Sequence, residues 1–235
     1  RPADKTRVGA WVRDKLEAQA QFYRGRNAGM LADRRLLLQV YRQEVKGLAN
    51  VTSAEPRNAV RLALDIMTQK EVRLQAVIHD QEGDEKDRIN DFEQFAAGMW
   101  REVGRNYRLS GNRELLRDLD WFIVMGGFAI MPLVSNGPRG PRFTARILDP
   151  KDVFPEYDAD GMSWVAHAYK TTMKEAKPRF LKQKGKKGWR VAALSEKSDR
   201  DEILVTNAFW LEEDGVYNAL VVDGVTVKEI GRAHV

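Results

Sequence analysis

At 235 residues, 43% hydrophobic and 31% charged, the chain can build one large core or two small ones beneath a heavily charged surface. It holds no cysteine, which excludes disulfides, thiol catalysis and thiolate metal sites, and no apolar run approaches the ~20 residues of a membrane helix. The formal charge of +5 is spread along the chain, with 22 basic against 19 acidic residues in 1–120 and 17 against 15 in 121–235.

The N-terminus is charged, with no apolar core behind it, so no secretory signal is expected. Trp11, Leu16, Ala20 and Tyr23 follow a helical period, and Gly25 to Gly29 is expected to break it. Residues 31–45 resume the period, with Gly47 as a stop. Thr52, Ser53 and Pro56 open another helix, because a hydroxyl can cap free amides and proline is tolerated in the first turn. Residues 72–78 switch to a period of two, which predicts a short strand. After the acidic loop 80–84 a long helix is expected over 85–109, burying Ile89, Phe92, Phe95, Ala96, Met99, Trp100 and Val103. A further helix over 113–125 runs into Gly126-Gly127, where the missing Cβ lets a helix stop and a strand start at once.

Beyond Gly127 the pattern is β-rich. Residues 128–134 and 143–148 flank Asn136-Gly-Pro-Arg-Gly140 and should pair as a hairpin. Residues 162–169 make a strand with Trp164, Ala166 and Ala168 on one face. Thr172 and Glu175 have capping-box spacing for a helix that Pro178 should shorten or kink. Residues 203–211, 216–222 and 225–230, separated by Asp214-Gly215 and Asp223-Gly224, predict an antiparallel meander. The fold class expected is therefore α+β, with a mostly helical part (1–126) packed on an antiparallel β-rich part (127–235).

Three constellations could carry chemistry. The acidic string Asp149, Asp152, Glu156, Asp158 and Asp160 supplies oxygen ligands, and Asp158-Ala-Asp160-Gly161 matches part of a calcium loop. Its glycine is misplaced and the closing glutamate is missing, so a structural turn is the better expectation. His79, His167 and His234 share no ligand spacing, and no glycine run matches a phosphate loop. The tryptophans and phenylalanines fall at core spacing rather than as a stacking platform. From Lys170 to Arg190 nine basic residues accompany one acid, Glu175. Lys182, Lys184, Lys186, Lys187 and Arg190 are the candidate polyanion contacts there. A solvated loop, or a contact with an acidic neighbouring subunit, is the more ordinary role of such a run. No catalytic residue, metal ligand or cofactor-binding residue is expected, and the chain is not expected to be an enzyme.

One succession is distinctive. A helix with Asn58 near its start leads to strand 72–78 and a long helix ending near Leu109. Then come Leu115, Asp118, Trp121 and Gly126-Gly127, a hairpin, and Asp149-Pro150-x-x-Val153-x-Pro155. Gly161, a strand, and Thr172-x-x-Glu175-Ala176-x-x-x-Phe180 complete it. This order, over about residues 50–185, resembles the wing region of tailed-bacteriophage portal proteins, the head-to-tail connectors.

The resemblance implies a homo-oligomeric ring, typically a dodecamer, at one capsid vertex of the virion, assembled in the host cytoplasm. Double-stranded DNA passes through such a ring, and capsid, terminase and tail or adaptor proteins bind it; no membrane is involved. The family's stem helices and clip are not visible here. The chain begins without methionine and ends Arg232-Ala-His-Val, so a piece of a longer polypeptide is expected. The competing expectation is a nucleic-acid-binding accessory domain that uses segment 170–190. An unrecognised hydrolase built on the acids of 149–160 stands third.

Overall fold

The computed structural model describes residues 7–38, 54–68, 85–137, 140–176 and 198–233. The class is α+β, with helices in the N-terminal part and antiparallel sheet in the C-terminal part. Two compact units divide the chain: Gly29–Pro150, and Arg1–Ala28 with Lys151–Val235. The change from helix to sheet near residue 127 and this division do not coincide, because a helix joins the large sheet and a hairpin joins the helices.

In the sheet unit, α1 (Val8–Phe22) lies on a five-stranded antiparallel meander. Its strands, in order, are β3 (Val153–Asp158), β4 (Gly161–Thr172), β5 (Glu202–Glu212), β6 (Gly215–Val222) and β7 (Val225–Ala233). Val8, Val12 and Leu16 recur every four residues and form one buried stripe. They pack on Trp164, Ala166, Ala168, Ala208, Trp210, Ala219 and Val221. Ala166, Ala208 and Ala219 stand opposite one another in register, so three methyl groups form a shallow lane across the sheet. A helix can therefore approach closely. At Gly9 the approach is closest: a Cβ there would sit 2.5 Å from the Gly224 carbonyl oxygen. Each aliphatic side chain fully buried in this layer contributes about 1.5–3 kcal/mol. Ile203, Val205 and Val222 form a second cluster with Met173 and Ala176 of the short helix α6 (Met173–Ala176).

Turn chemistry fixes the meander. Asp223 (φ 47°) and Gly224 (φ 78°) both take left-handed backbone, as a two-residue type I′ hairpin needs. The Asp223 carboxylate accepts from the Leu204 amide at 2.8 Å, tying that turn to β5. Thr172 Oγ1 accepts from the Glu175 amide at 3.4 Å, and Glu175 in turn accepts from Thr171 rather than closing a full capping box.

The helix–hairpin unit holds most of α2 (Arg24–Leu37), then α3 (Glu55–Thr68), α4 (Glu85–Leu109) and α5 (Leu115–Val124). Its hairpin is β1 (Ala129–Gly137) with β2 (Gly140–Leu148), registered from Ala129↔Leu148 to Gly137↔Gly140. Val103, Tyr107, Leu115, Leu119 and Ala145 form its core. Buried Asn106 donates to the Phe143 carbonyl at 2.7 Å, which anchors α4 to β2. Gly126, at φ +102°, makes the reversal from α5 towards β1 that an L-residue would resist.

Several expectations need correction. The first helix breaks at Tyr23, not at 25–29, and α2 runs through Gly25 and Gly29. Each glycine costs about 1 kcal/mol of helix propensity, and the anchors of Tyr23, Arg26 and Asn27 described below outweigh it. Phe92 and Phe95 are not core residues: they are 61% and 59% exposed, while Ala96 and Val103 carry the buried side of α4. Phe22 and Phe128 are exposed as well. Residues 153–158 form strand β3, where only turn signals stood out. The expected strand 72–78, the continuation 39–47, the cap at Thr52 and Ser53, the loop 80–84, the effect of Pro178, and His79 and His234 lie outside the described residues. So do turn residues 138–139.

Candidate functional site

The acidic string separates into anchors rather than converging. Within the helix–hairpin unit, Asp149 receives a two-pronged contact from Arg34, Nη1 to Oδ2 at 2.6 Å and Nη2 to Oδ1 at 2.7 Å, both side chains largely buried. The same guanidinium lies 5.7 Å from the Phe122 ring centroid. Within the sheet unit, Asp152 pairs with Lys151 at 2.9 Å and Glu156 with Lys15 at 2.6 Å. Asp158 Oδ1 accepts from the Asp160 amide at 3.0 Å, and Gly161 sits at φ +124°. That is a turn closed by its own aspartate. Among the described residues no group of three or more His, Asp or Glu side chains could hold a metal ion. His167 stacks on Tyr169 with centroids 4.9 Å apart.

Residues 151–156 instead form a clamped edge. Asn27 donates to the Lys151 carbonyl at 3.0 Å, Arg26 to that of Val153 at 2.9 Å, and Tyr23 to that of Pro155 at 3.0 Å. The Lys151 carbonyl lies in the short 3-10 turn that leads into β3, and those of Val153 and Pro155 alternate along that strand. Pro155 fits there because an edge position asks for no N–H. Arg26 stacks over Tyr23, its guanidinium carbon 4.1 Å from the ring centroid. Burial lowers the Arg26 pKa and the neighbouring Tyr23 partly opposes this.

A cleft of about 550 Å³ lies within the helix–hairpin unit, between the end of α2, α3 and the start of α5. This volume is within the range of sites that enclose a ligand or several side chains. Its floor includes Leu37, Leu64 and Trp121, and its rim carries Arg57, Arg61, Arg113 and Arg117. Arg57 and Arg61 are spaced i, i+4 on α3 and share one helical side, while Arg117 lies on the first turn of α5 and Arg113 just before that helix. All four are exposed, and none makes an ion pair or hydrogen bond among the described residues. Asp118, also at the cleft, accepts from the Tyr107 hydroxyl at 2.8 Å. Burial, then this bond to Asp118, raises the Tyr107 pKa well above the ordinary phenol range.

One buried acid stands apart. Asp120 on α5 is 8% exposed, and its Oδ2 has no hydrogen-bond partner among the described residues. Burial, then the charge of Glu114, raises its pKa.

The sequence-derived candidates Lys182, Lys184, Lys186, Lys187 and Arg190 lie outside the described residues. Sequence reasoning did not single out the arginine rim; its signal was the i, i+4 pair Arg57 and Arg61 on amphipathic α3, with Arg113 and Arg117 at the entry to α5. No protein-family model and no curated protein sequence matches this chain. No described helix is long and apolar enough to cross a membrane.

Proposed function

We propose that this chain is a subunit of a tailed-bacteriophage portal ring, a homo-oligomer of about a dozen copies at the capsid vertex of the virion. In this role it is a passive conduit for double-stranded DNA and a platform for capsid, terminase and tail proteins. It performs no catalysis. One observation carries the proposal: the succession of α5, a Gly126-Gly127 break, hairpin β1–β2, the Asp149-Pro150-x-x-Val153-x-Pro155 element, β4 and the Thr172–Glu175 helix start. The motif's residues serve as fasteners, which suits a scaffold: Asp149 holds Arg34, and Val153 and Pro155 offer carbonyls to α1–α2 side chains. Near-balanced charge also suits a channel, since every phosphate neutralised would slow DNA passage.

Mass measurement of the full-length protein tests this. A discrete ring near twelve subunits is expected. A monomer or dimer that binds DNA in a salt-sensitive way, and loses that binding when Lys182, Lys184, Lys186 and Lys187 become Glu, would replace it with the accessory nucleic-acid-binding role.

A further inference from the structure

We propose that the arginine-rimmed cleft of one copy receives the outer face of α4 from the next copy, and that this contact joins neighbours head to tail. The inference rests on the ring assembly proposed above and names the surfaces that would make it.

Two unlike surfaces of the helix–hairpin unit complement each other. The cleft has an apolar floor and four arginines against two aspartates, Asp65 and Asp118. A floor of leucines and tryptophan has little to offer a sugar-phosphate strand, whereas it suits apolar side chains carried on an acidic helix. The first ten residues of α4 supply such a stretch. Asp91, Phe92 and Phe95 fall on one side of α4 at i, i+1 and i+4. Both phenylalanines are exposed at a level that is unusual for large aromatics in a helix otherwise packed on β2. Phe95 is held in place by an edge-on contact with Phe143, centroids 6.3 Å apart, so it is already ordered as an anchor. Residues 85–94 carry Glu85, Asp87, Asp91 and Glu93 against Lys86 and Arg88.

The α4 face and the cleft share no residue, so one copy can use both at once. A contact between two different patches is heterologous, and repeated around an axis it closes a ring. Aromatic anchors in a pocket set how long such a contact lasts, while the charged rim sets its rate and salt dependence.

The experiment uses the full-length protein with a photo-crosslinking phenylalanine at position 92, in a mixture of two differently tagged copies. Crosslinks between copies should map to α3 or α5, near Arg61 and Arg117. Asp91→Arg alone, and Arg61→Glu with Arg117→Glu, should each lower the assembled fraction at least tenfold. Asp91→Arg combined with Arg61→Asp should restore much of it. All three positions are exposed, so circular dichroism should show an unchanged fold. Rings that persist in both variants, with crosslinks mapping elsewhere, would overturn this interface and leave the ring proposal standing. Wild-type protein that stays monomeric would overturn the ring itself. Crosslinking to a different protein would give the cleft another occupant and equally end the proposal.

Discussion

The two units handle their apolar surface in opposite ways. Among the described residues, the sheet unit buries seventeen hydrophobic residues and leaves four large ones exposed: Phe22, Tyr157, Met162 and Leu211. The helix–hairpin unit buries nine and exposes eleven, among them Leu62, Ile66, Phe92, Phe95 and Phe128. A five-stranded meander with a helix laid in its alanine lane satisfies itself. Among the described residues, the helices and two-stranded hairpin of the other unit leave several large apolar side chains exposed. The contrast is one of burial: among the described residues the first unit covers its apolar surface and the second leaves much of it exposed.

The strongest challenge to this contrast is to cut the two-pronged ion pair of the open unit. Arg34→Ala leaves Asp149 largely buried without its two-pronged partner, and should cost about 3 kcal/mol in denaturant unfolding. A loss under 1 kcal/mol would mean that the helix–hairpin unit is not held by this pair. Next in size is Gly9→Ala in the closed unit. Alanine favours the helix by about 1 kcal/mol, but its methyl meets the Gly224 carbonyl, and overpacking of this kind costs about 1–3 kcal/mol. A net loss of about 1 kcal/mol is expected, whereas at Gly25, which has open space, the same change should stabilise.

The smallest effect is also the most specific. Because the folded Asp120 pKa is raised, the native state holds its proton to higher pH than the unfolded chain does. Asp120 therefore costs no stability below the unfolded carboxyl range near pH 4, and costs progressively more as pH rises through the folded value. Asp120→Asn should add about 1 kcal/mol at pH 7 and almost nothing at pH 4, measured as the change in Tm at each pH. An equal gain at both would show that charge is not the cause.

Much of the architecture was legible because its signals are local. The helix over 85–109, the hairpin, and the Asp-Gly turns of the meander depend on period and turn residues, and each stands where those place it. Strand β3 was hidden because Pro150, Pro155 and four acids look like a loop, while the donors that hold it lie more than a hundred residues earlier in the chain. Phe92 and Phe95 misled for a related reason: hydrophobic period marks a face that wants covering, not what covers it. The cleft was illegible for the same cause, since it exists only where α3 and α5 meet. The acidic string looked like a site because spacing alone cannot show that Asp149, Asp152, Glu156 and Asp158 each already have a cation or amide of their own.

The fastened rim of β3 has one more consequence. Unpaired strand edges are where foreign strands add and fibrils begin. Here the outward carbonyls of Lys151, Val153 and Pro155 are already engaged, and Pro155 has no amide to lend. Growth of the sheet from that side is blocked, and β7 is the other edge among the described strands. In the ring proposed above, where copies would sit side by side, a blocked edge is one fewer route to mispairing.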